Sequence, residues 1–294
     1  WQNITFTTGL SKNLMQNVHF DFMGRAKTWL TAGAIAAVVC IGFLATRGLS
    51  KSIDFTGGRN FKVQFENEVE PEQIRELIAD KFGDANVSVI AVGTDGKTVR
   101  ISTNYRIQEE GNNVDSEIEA YLYEALKPVL TQDISLETFI DRDNYTGGSI
   151  ISSQKVGPSI AEDITTSAIW SVVLALLAIG LYILIRFRNI AYSIGSIVAL
   201  AFDTLIILGM YSIFWGILPF SLEIDQTFIG AVLTAIAYSI NDKVVIFDRV
   251  REFFGLYPKR DKMQLFNDSL NSTLARTINT SVSTLIVLLC IFIL

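Results

Sequence analysis

The chain has 294 residues, half of them hydrophobic and only 18% charged, with a mean hydropathy of +0.37 and a formal net charge of −6. That balance excludes an ordinary soluble globular protein. Nucleic-acid binding also lacks support, because no Lys/Arg cluster interleaved with aromatics occurs.

The apolar residues gather into five runs, near 28–46, 165–185, 190–216, 226–247 and from 277 to the last residue. A helix needs about 20 apolar residues to cross a bilayer, so the pattern predicts a polytopic helical membrane protein. Residues 1–27 precede the first span, which occupies 28–48 and has the wrong flanks for a cleavable signal peptide. Arg25 and Lys27 on its leading side predict a cytoplasmic N-terminus. The only histidine, His19, lies ahead of this span, where it cannot carry protons through the membrane.

The turn "SIDFTGG" follows, with Asp54, Phe55, Thr56, Gly57 and Gly58. Glycines there permit positive φ or a close backbone approach, and Asp and Thr bond neighbouring amides, so a tight exit turn explains it. Residues 50–155 read as a folded domain outside the cytoplasm. Between Ser52 and Lys155 there are 19 acidic and 10 basic residues, which leaves the rest of the chain net positive. "NFKVQFEN" alternates as a half-buried strand, and "EPEQIRELIADKFG" places Ile74, Leu77, Ile78 and Phe82 at helical spacing before Gly83. "NVSVIAVG" and "KTVRISTN" flank the turn "TDGK" as a hairpin. "VDSEIEAYLYEALKPVL" reads as a second helix and "SLETFIDRD" as the last strand. The order βαββαβ predicts a split-βαβ, ferredoxin-like α+β domain with helices on one face of an antiparallel sheet.

"KVGPSIAEDI" re-enters the membrane. Gly157 and Pro158 end the extended segment, and Ser159 with Glu162 forms a capping box for the second span. Residues 160–294 hold spans two to five. "RFRN" joins spans two and three, and from Asn189 to Asp242 there is no Lys or Arg, so the connector "WGILPFSLEID" reads as extracytoplasmic. The basic residues of 249–275 mark a cytoplasmic loop. Every short loop gives one orientation.

Four acidic residues in this half need a reason. Asp203 lies deep in the third span without a basic neighbour in sequence, which suits structural hydrogen bonding or proton handling equally. Glu223 and Asp225 precede the fourth span, where helix capping is the better reading and a proton entrance the alternative. Asp242, in "YSINDKVVIFDR", lies about 9 Å inside the cytoplasmic end of the fourth span at the helical rise. A charge at a span's centre costs roughly 2.5–3.5 kcal/mol on insertion scales, so an ionisable group there needs a partner or a task. Tyr238 and Ser239, with Asn241, extend a polar strip, and the fifth helix carries Arg276, Thr280 and Ser283 or Thr284 on another. Two antiparallel helices would bring Asp242 and Arg276 together, either as a structural ion pair or as a proton-responsive one. Lys243 is expected to snorkel toward the headgroups. Cys40 and Cys290 fall inside spans and read as packing residues. No metal-ligand cluster, nucleotide loop or nucleophile–base set appears, so no cofactor and no covalent catalysis are expected.

The strings "IDFTGG" after the first span, "VGP" before the second, "RFR" after it, "YSINDKVVIFDRVRE" and "TLARTINTS" resemble, in this order and over the whole chain, the SecF branch of the SecD/SecF protein-export family of the RND superfamily. The N-terminal "WQNITF…FDFMGRAK" resembles the join between SecD and SecF in fused chains. The resemblance implies a location in the bacterial inner membrane and an accessory role in the Sec translocase. Its partners would be SecD, the SecYEG channel and unfolded preproteins, and protons would be the coupling ion. It assigns the functional carboxylate to Asp242 and the functional arginine to Arg276. It further implies six spans where five are seen, threonine where Lys243 stands and glycine where Ala237 stands. Two other classes stay open on the residues alone. An RND exporter of small molecules or lipids would carry larger extracytoplasmic insertions, and a membrane scaffold or receptor would tolerate neutralisation of Asp242.

Overall fold

The computed structural model describes residues 19–83, 87–93, 95–109, 112–130, 134–142, 148–218 and 221–293. The segment 1–18 and the tip of the "TDGK" turn at Thr94 lie outside the described residues. The chain forms two compact units, one of residues 1–41, 176–206 and 233–294 and the other of 42–175 and 207–232.

Among the described residues five helices are long and apolar enough to cross a membrane: α1 (Ala26–Thr46), α6 (Pro158–Phe187), α7 (Ile190–Phe214), α8 (Gln226–Leu256) and α9 (Lys262–Ile293). Between the first two lie the short helix α2 (Ile53–Thr56), β1 (Gly58–Gln64), α3 (Pro71–Phe82), β2 (Val87–Ala91), β3 (Thr98–Thr103), α4 (Asn112–Leu126), α5 (Leu136–Ile140) and β4 (Ser149–Val156).

In the second unit the strands form one sheet in the order β2-β3-β1-β4, and every neighbouring pair is antiparallel. Alternation sends Phe61 and Val63 of β1 and Val99 and Ile101 of β3 into the core. Ile74, Ile78 and Phe82 of α3 and Ile118, Leu122 and Leu126 of α4 pack on them at spacings of four. Pro71 opens α3 at a position where no amide is needed, and Gly83 closes it at φ 60°, its N–H bonded to the Ala79 carbonyl.

Two expectations are corrected here. "SLETFIDRD" holds a helix, not the last strand: the Ser135 hydroxyl accepts from the Thr138 amide as an N-cap, and Phe139 turns into the core. The last strand is "SIISSQKV", whose apolar residues cluster at one end and leave too little alternation to be read. Nor does Ser159 cap the second span. Pro158 is already the first helical residue, and the Gly157 carbonyl accepts from the Ala161 amide at 3.0 Å.

The glycine pair of "IDFTGG" sits where β1 leaves α2. Gly58 has φ 155°, and a Cβ on it would meet Ile53 Cγ2 at 2.7 Å and the Thr103 carbonyl at 2.9 Å. Gly58 also pairs with Val156, so the "TGG" and "VGP" segments lie side by side at one end of the β1–β4 pair, with β4 the edge strand. The rest of the motif forms the one-turn helix α2, which the Gly57 amide closes by donating to the Ile53 carbonyl at 2.8 Å.

In the first unit, a Cβ on Gly180 would collide with the Ile197 side chain, so glycine permits the close approach of α6 and α7. The Ser193 hydroxyl donates to the Gly180 carbonyl at 2.6 Å beside it. Phe187, the last residue of α6, meets Tyr192 of α7 and Phe247 of α8 edge-on, and Tyr192 stacks on Phe247. Large apolar side chains such as Leu177, Leu181, Ile185 and Ile194 remain exposed, as lipid-facing residues are.

Candidate functional site

The ionisable residues of α7, α8 and α9 in the first unit form the candidate site. Asp203 stands about halfway along α7, and its Oδ2 is the focus. The Ser239 hydroxyl donates to it at 2.6 Å and the Lys243 ammonium at 2.5 Å. The ammonium also donates to the Ser239 oxygen, which closes a three-membered network between α7 and α8. Ser239 and Lys243 are four residues apart on one face of α8, and a long helical side chain points back toward its N-terminus. That direction carries Lys243 inward to Asp203 rather than outward to the headgroups, which corrects the snorkelling expectation. Its side chain is 21% exposed and that of Asp203 35%. Attraction between charges this close is far stronger in a medium of low dielectric than in water.

Asp242 is half-buried on α8, and Arg276 is exposed on α9. Among the described residues neither forms an ion pair or a side-chain hydrogen bond, so the structure does not bring the two together. The register explains this. The Thr284 hydroxyl donates to Tyr238 Oη at 3.1 Å, which fixes those positions at one level of the antiparallel helix pair. One turn along, Asp242 faces the level of Thr280. Arg276 lies a further turn away, about 5.4 Å at the helical pitch, a gap that an arginine side chain can span. The Thr280 hydroxyl is meanwhile turned to its own helix, donating to the Thr277 carbonyl. Asn241 is exposed. The polar strip therefore divides, with Ser239 serving α7 and Tyr238 serving α9.

The remaining candidates have structural partners in the second unit. Asp225 caps α8, its Oδ1 accepting from the Phe228 amide at 2.9 Å and the Thr227 hydroxyl at 2.6 Å. Glu223 accepts from Arg100 at 2.7 Å and from Ser88 at 3.2 Å, which ties the connector to the sheet. Asp54 Oδ2 accepts from the Gln226 amide at 3.1 Å, a second contact at the start of α8. Thr56 donates to the Ser52 carbonyl, and Phe55 is half-buried within α2. A one-residue parallel bridge between Lys51 and Ile224 completes this join.

Sequence reasoning missed three features. Arg47 donates to the Ile213 and Trp215 carbonyls at 3.1 Å each, satisfying the C-terminal end of α7. Asn271 donates to the Phe20 carbonyl and accepts from its amide, while Asn267 accepts from the Phe22 amide. Arg59 is 1% exposed; its Nε donates to Asp115 Oδ1 at 2.8 Å and its Nη1 to the Tyr105 carbonyl at 2.9 Å, and its Nη2 lies 2.7 Å from the same Oδ1 as an ion-pair contact. An arginine at an alternating core-facing position of β1, directly after the glycine pair, was the available signal for the last.

Burial raises the Asp115 carboxyl, but the Arg59 hydrogen bond and charge, with the Lys155 ammonium, outweigh it and hold the group below its ordinary value. Burial raises Glu119 against the opposing charge of Arg142. Both belong to the α+β domain and describe its stability rather than transport. Among the described residues no group of three or more His, Cys, Asp or Glu side chains could hold a metal ion.

Comparison with known proteins places these features. Residues 139–294 match the family described as protein export membrane protein SecD/SecF, C-terminal, and residues 42–69 match the SecD/SecF GG motif. The chain is 35% identical over 280 residues to the protein translocase subunit SecF of Rhodothermus marinus, covering 95% of this chain and 83% of that one. It is 32% identical to SecF of Haemophilus influenzae, over 92% of this chain and 74% of that one. Thermus thermophilus SecDF is 32% identical over 92% of this chain, which spans a third of that longer protein. The crystal structure of SecDF from Thermus, described as a translocon-associated membrane protein, superposes with a TM-score of 0.72 at 29% identity, over 92% of this chain and 33% of that one.

Proposed function

This chain belongs to the SecD/SecF family of protein-export membrane proteins, and from that premise we propose that it is an accessory subunit of the Sec translocase that couples the proton-motive force to preprotein movement. Relatives named as translocase subunits over most of the chain support the translocase role. The observation that carries the coupling is the set of ionisable side chains inside the spans: Asp203 and Lys243 paired, Asp242 half-buried, and Arg276 one turn from its level. Charged groups in a span face an interior or a partner, and mark ion pathways by default.

In this reading Asp242 takes up a proton when Arg276 is away and is held ionised when Arg276 reaches it. The carboxylate thus has two exclusive partners, a proton and the Arg276 guanidinium. A shift of α9 along α8 by about one turn changes which of them dominates, and so ties proton uptake to helix movement.

The chain lies in the bacterial inner membrane with its N-terminus in the cytoplasm and its α+β domain on the far side. The ferredoxin-like reading of that domain rests on the antiparallel order β2-β3-β1-β4 with α3 and α4 packed on one face. SecD is the nearest partner, a reading that the fused SecDF relative supports, and SecYEG and unfolded preproteins complete the assembly. The work is transport, with protons as the coupling ion and no covalent step.

The test is gradient-driven export of a preprotein into membrane vesicles by the full-length protein with its partner subunits. Asp242→Asn keeps the shape but fixes a neutral group, and is expected to insert normally and lose the gradient-dependent part of export. Arg276→Met is expected to do the same, and the double variant to be no worse than either, because the two act as a unit. Export by Asp242→Asn at the wild-type rate under a proton gradient would falsify the coupling role.

A further inference from the structure

Lys243 presents a difficulty for this mechanism. It follows Asp242 directly, and a cation beside a carboxylate that must bind a proton favours the ionised form. The structure shows how the conflict is avoided. Consecutive residues of a helix point about 100° apart, and the Lys243 stem runs back one turn, away from Asp242, to end on Asp203 and Ser239. The ammonium has three donors, of which this network engages two.

We propose that Asp203 is a positioning residue: with Ser239 it holds the Lys243 ammonium away from Asp242, and so leaves Asp242 able to exchange a proton. The inference rests on the reading of Asp242 as the proton-responsive group. Asp203 and Asp242 are the two carboxylates within this part of α7 and α8. Nearer the ends of the helices Arg186 pairs with Asp248 at 3.3 Å and Arg249 with Glu252 at 2.8 Å, while Arg251 points to the exposed side of α8. Arg276 on α9 is the one further charge of the candidate site, and it stands exposed. A Lys243 released from Asp203 therefore has Asp242, next to it on its own helix, as its closest alternative anion. That pairing would hold Asp242 ionised whatever Arg276 does.

Neutralising Asp203 must impair coupling through Lys243, so removing Lys243 as well must restore it. The experiment uses the full-length protein with its partner subunits in membrane vesicles, in four forms: wild type, Asp203→Asn, Lys243→Thr and the double variant. Export of an unfolded secretory preprotein is measured with and without a proton gradient. In parallel, a hydrophobic carbodiimide, which modifies membrane carboxyl groups that carry a proton, is applied and modification at Asp242 is read by peptide mass. Asp203→Asn is expected to lower both gradient-driven export and Asp242 modification at least fivefold, and the double variant to recover both to within about twofold of Lys243→Thr.

A direct proton-carrying role for Asp203 predicts equal loss in the single and double variants, and that result overturns the proposal. Unchanged Asp242 modification in Asp203→Asn overturns it as well, since a merely structural role would not alter the protonation of Asp242. If Asp203→Asn fails to accumulate, the amount of inserted protein becomes the readout: recovery on adding Lys243→Thr supports the pairing, and no recovery overturns it. Loss of the coupling role itself is seen separately, as wild-type export by Asp242→Asn in the Lys243→Thr background.

Discussion

The Arg59–Asp115 pair offers a test in which burial decides the outcome. The two partners are unequal, with side chains 2% and 43% exposed. Asp115→Ala leaves a guanidinium enclosed in the domain with only the Tyr105 carbonyl as acceptor. Leaving one charge of a buried pair without its partner costs about 3–5 kcal/mol. Arg59→Met fills the same space with an apolar side chain and leaves a carboxylate that water reaches and that Lys155 approaches at 3.4 Å. Its cost is set by the charged hydrogen bonds lost, about 1.5–3 kcal/mol. The smaller, more exposed partner is therefore the more expensive one to remove. Urea unfolding of residues 52–157, followed by circular dichroism, reads the difference. With a slope of about 1–3 kcal/mol/M for a domain of this size, Asp115→Ala should lower the midpoint by roughly 2 M and Arg59→Met by about half as much. The double variant should lose less than the two singles together. A larger loss for Arg59→Met than for Asp115→Ala would refute the reasoning, because burial of the cation would then not be the controlling term.

The remaining predictions concern the same domain and the topology. Gly58→Ala places a Cβ within 2.9 Å of the Thr103 carbonyl at a φ of 155°, and should destabilise the domain by about 1–3 kcal/mol, read as a lower Tm. Because the Asp115 carboxyl lies below its ordinary value of 3.8 in the folded domain, its contribution is complete above about pH 3.8 and is lost as pH falls through the lowered value. Wild type should therefore lose more stability than Asp115→Asn on acidification through that window, measured by urea midpoints, and parallel curves would contradict the pairing. Single cysteines at positions 97 and 260 should be labelled by an impermeant reagent from outside intact cells at the first and not at the second. The reverse pattern would overturn the orientation.

Much of this protein could be read along the chain. The five spans were legible because about 20 apolar residues in a row have one economical fate in water and lipid, whatever their neighbours do. The helices α3 and α4 and the strands β1 and β3 were legible because their core-facing residues repeat at four and at two. The last strand was not. In "SIISSQKV" the residues beyond Ile151 are polar or charged except Val156, and their place is set by pairing with β1, a strand almost a hundred residues earlier. "SLETFIDRD" misled for the opposite reason, since one hydroxyl cap decided for a helix in a stretch too short to show a period.

At the candidate site, sequence alone determined which residues need an explanation: a carboxylate or a lysine in a span is costly wherever it lies, so Asp203, Asp242 and Lys243 stood out. Tertiary structure decided their partners. Lys243 meets a carboxylate 40 residues away on another helix, at a distance no sequence spacing encodes. Arg276 sits one turn off the level of Asp242 because a single hydroxyl contact, Thr284 to Tyr238, records the register of two long helices. Residue type sets the cost of burying a charge, but the offset between packed helices decides which opposite charge relieves it.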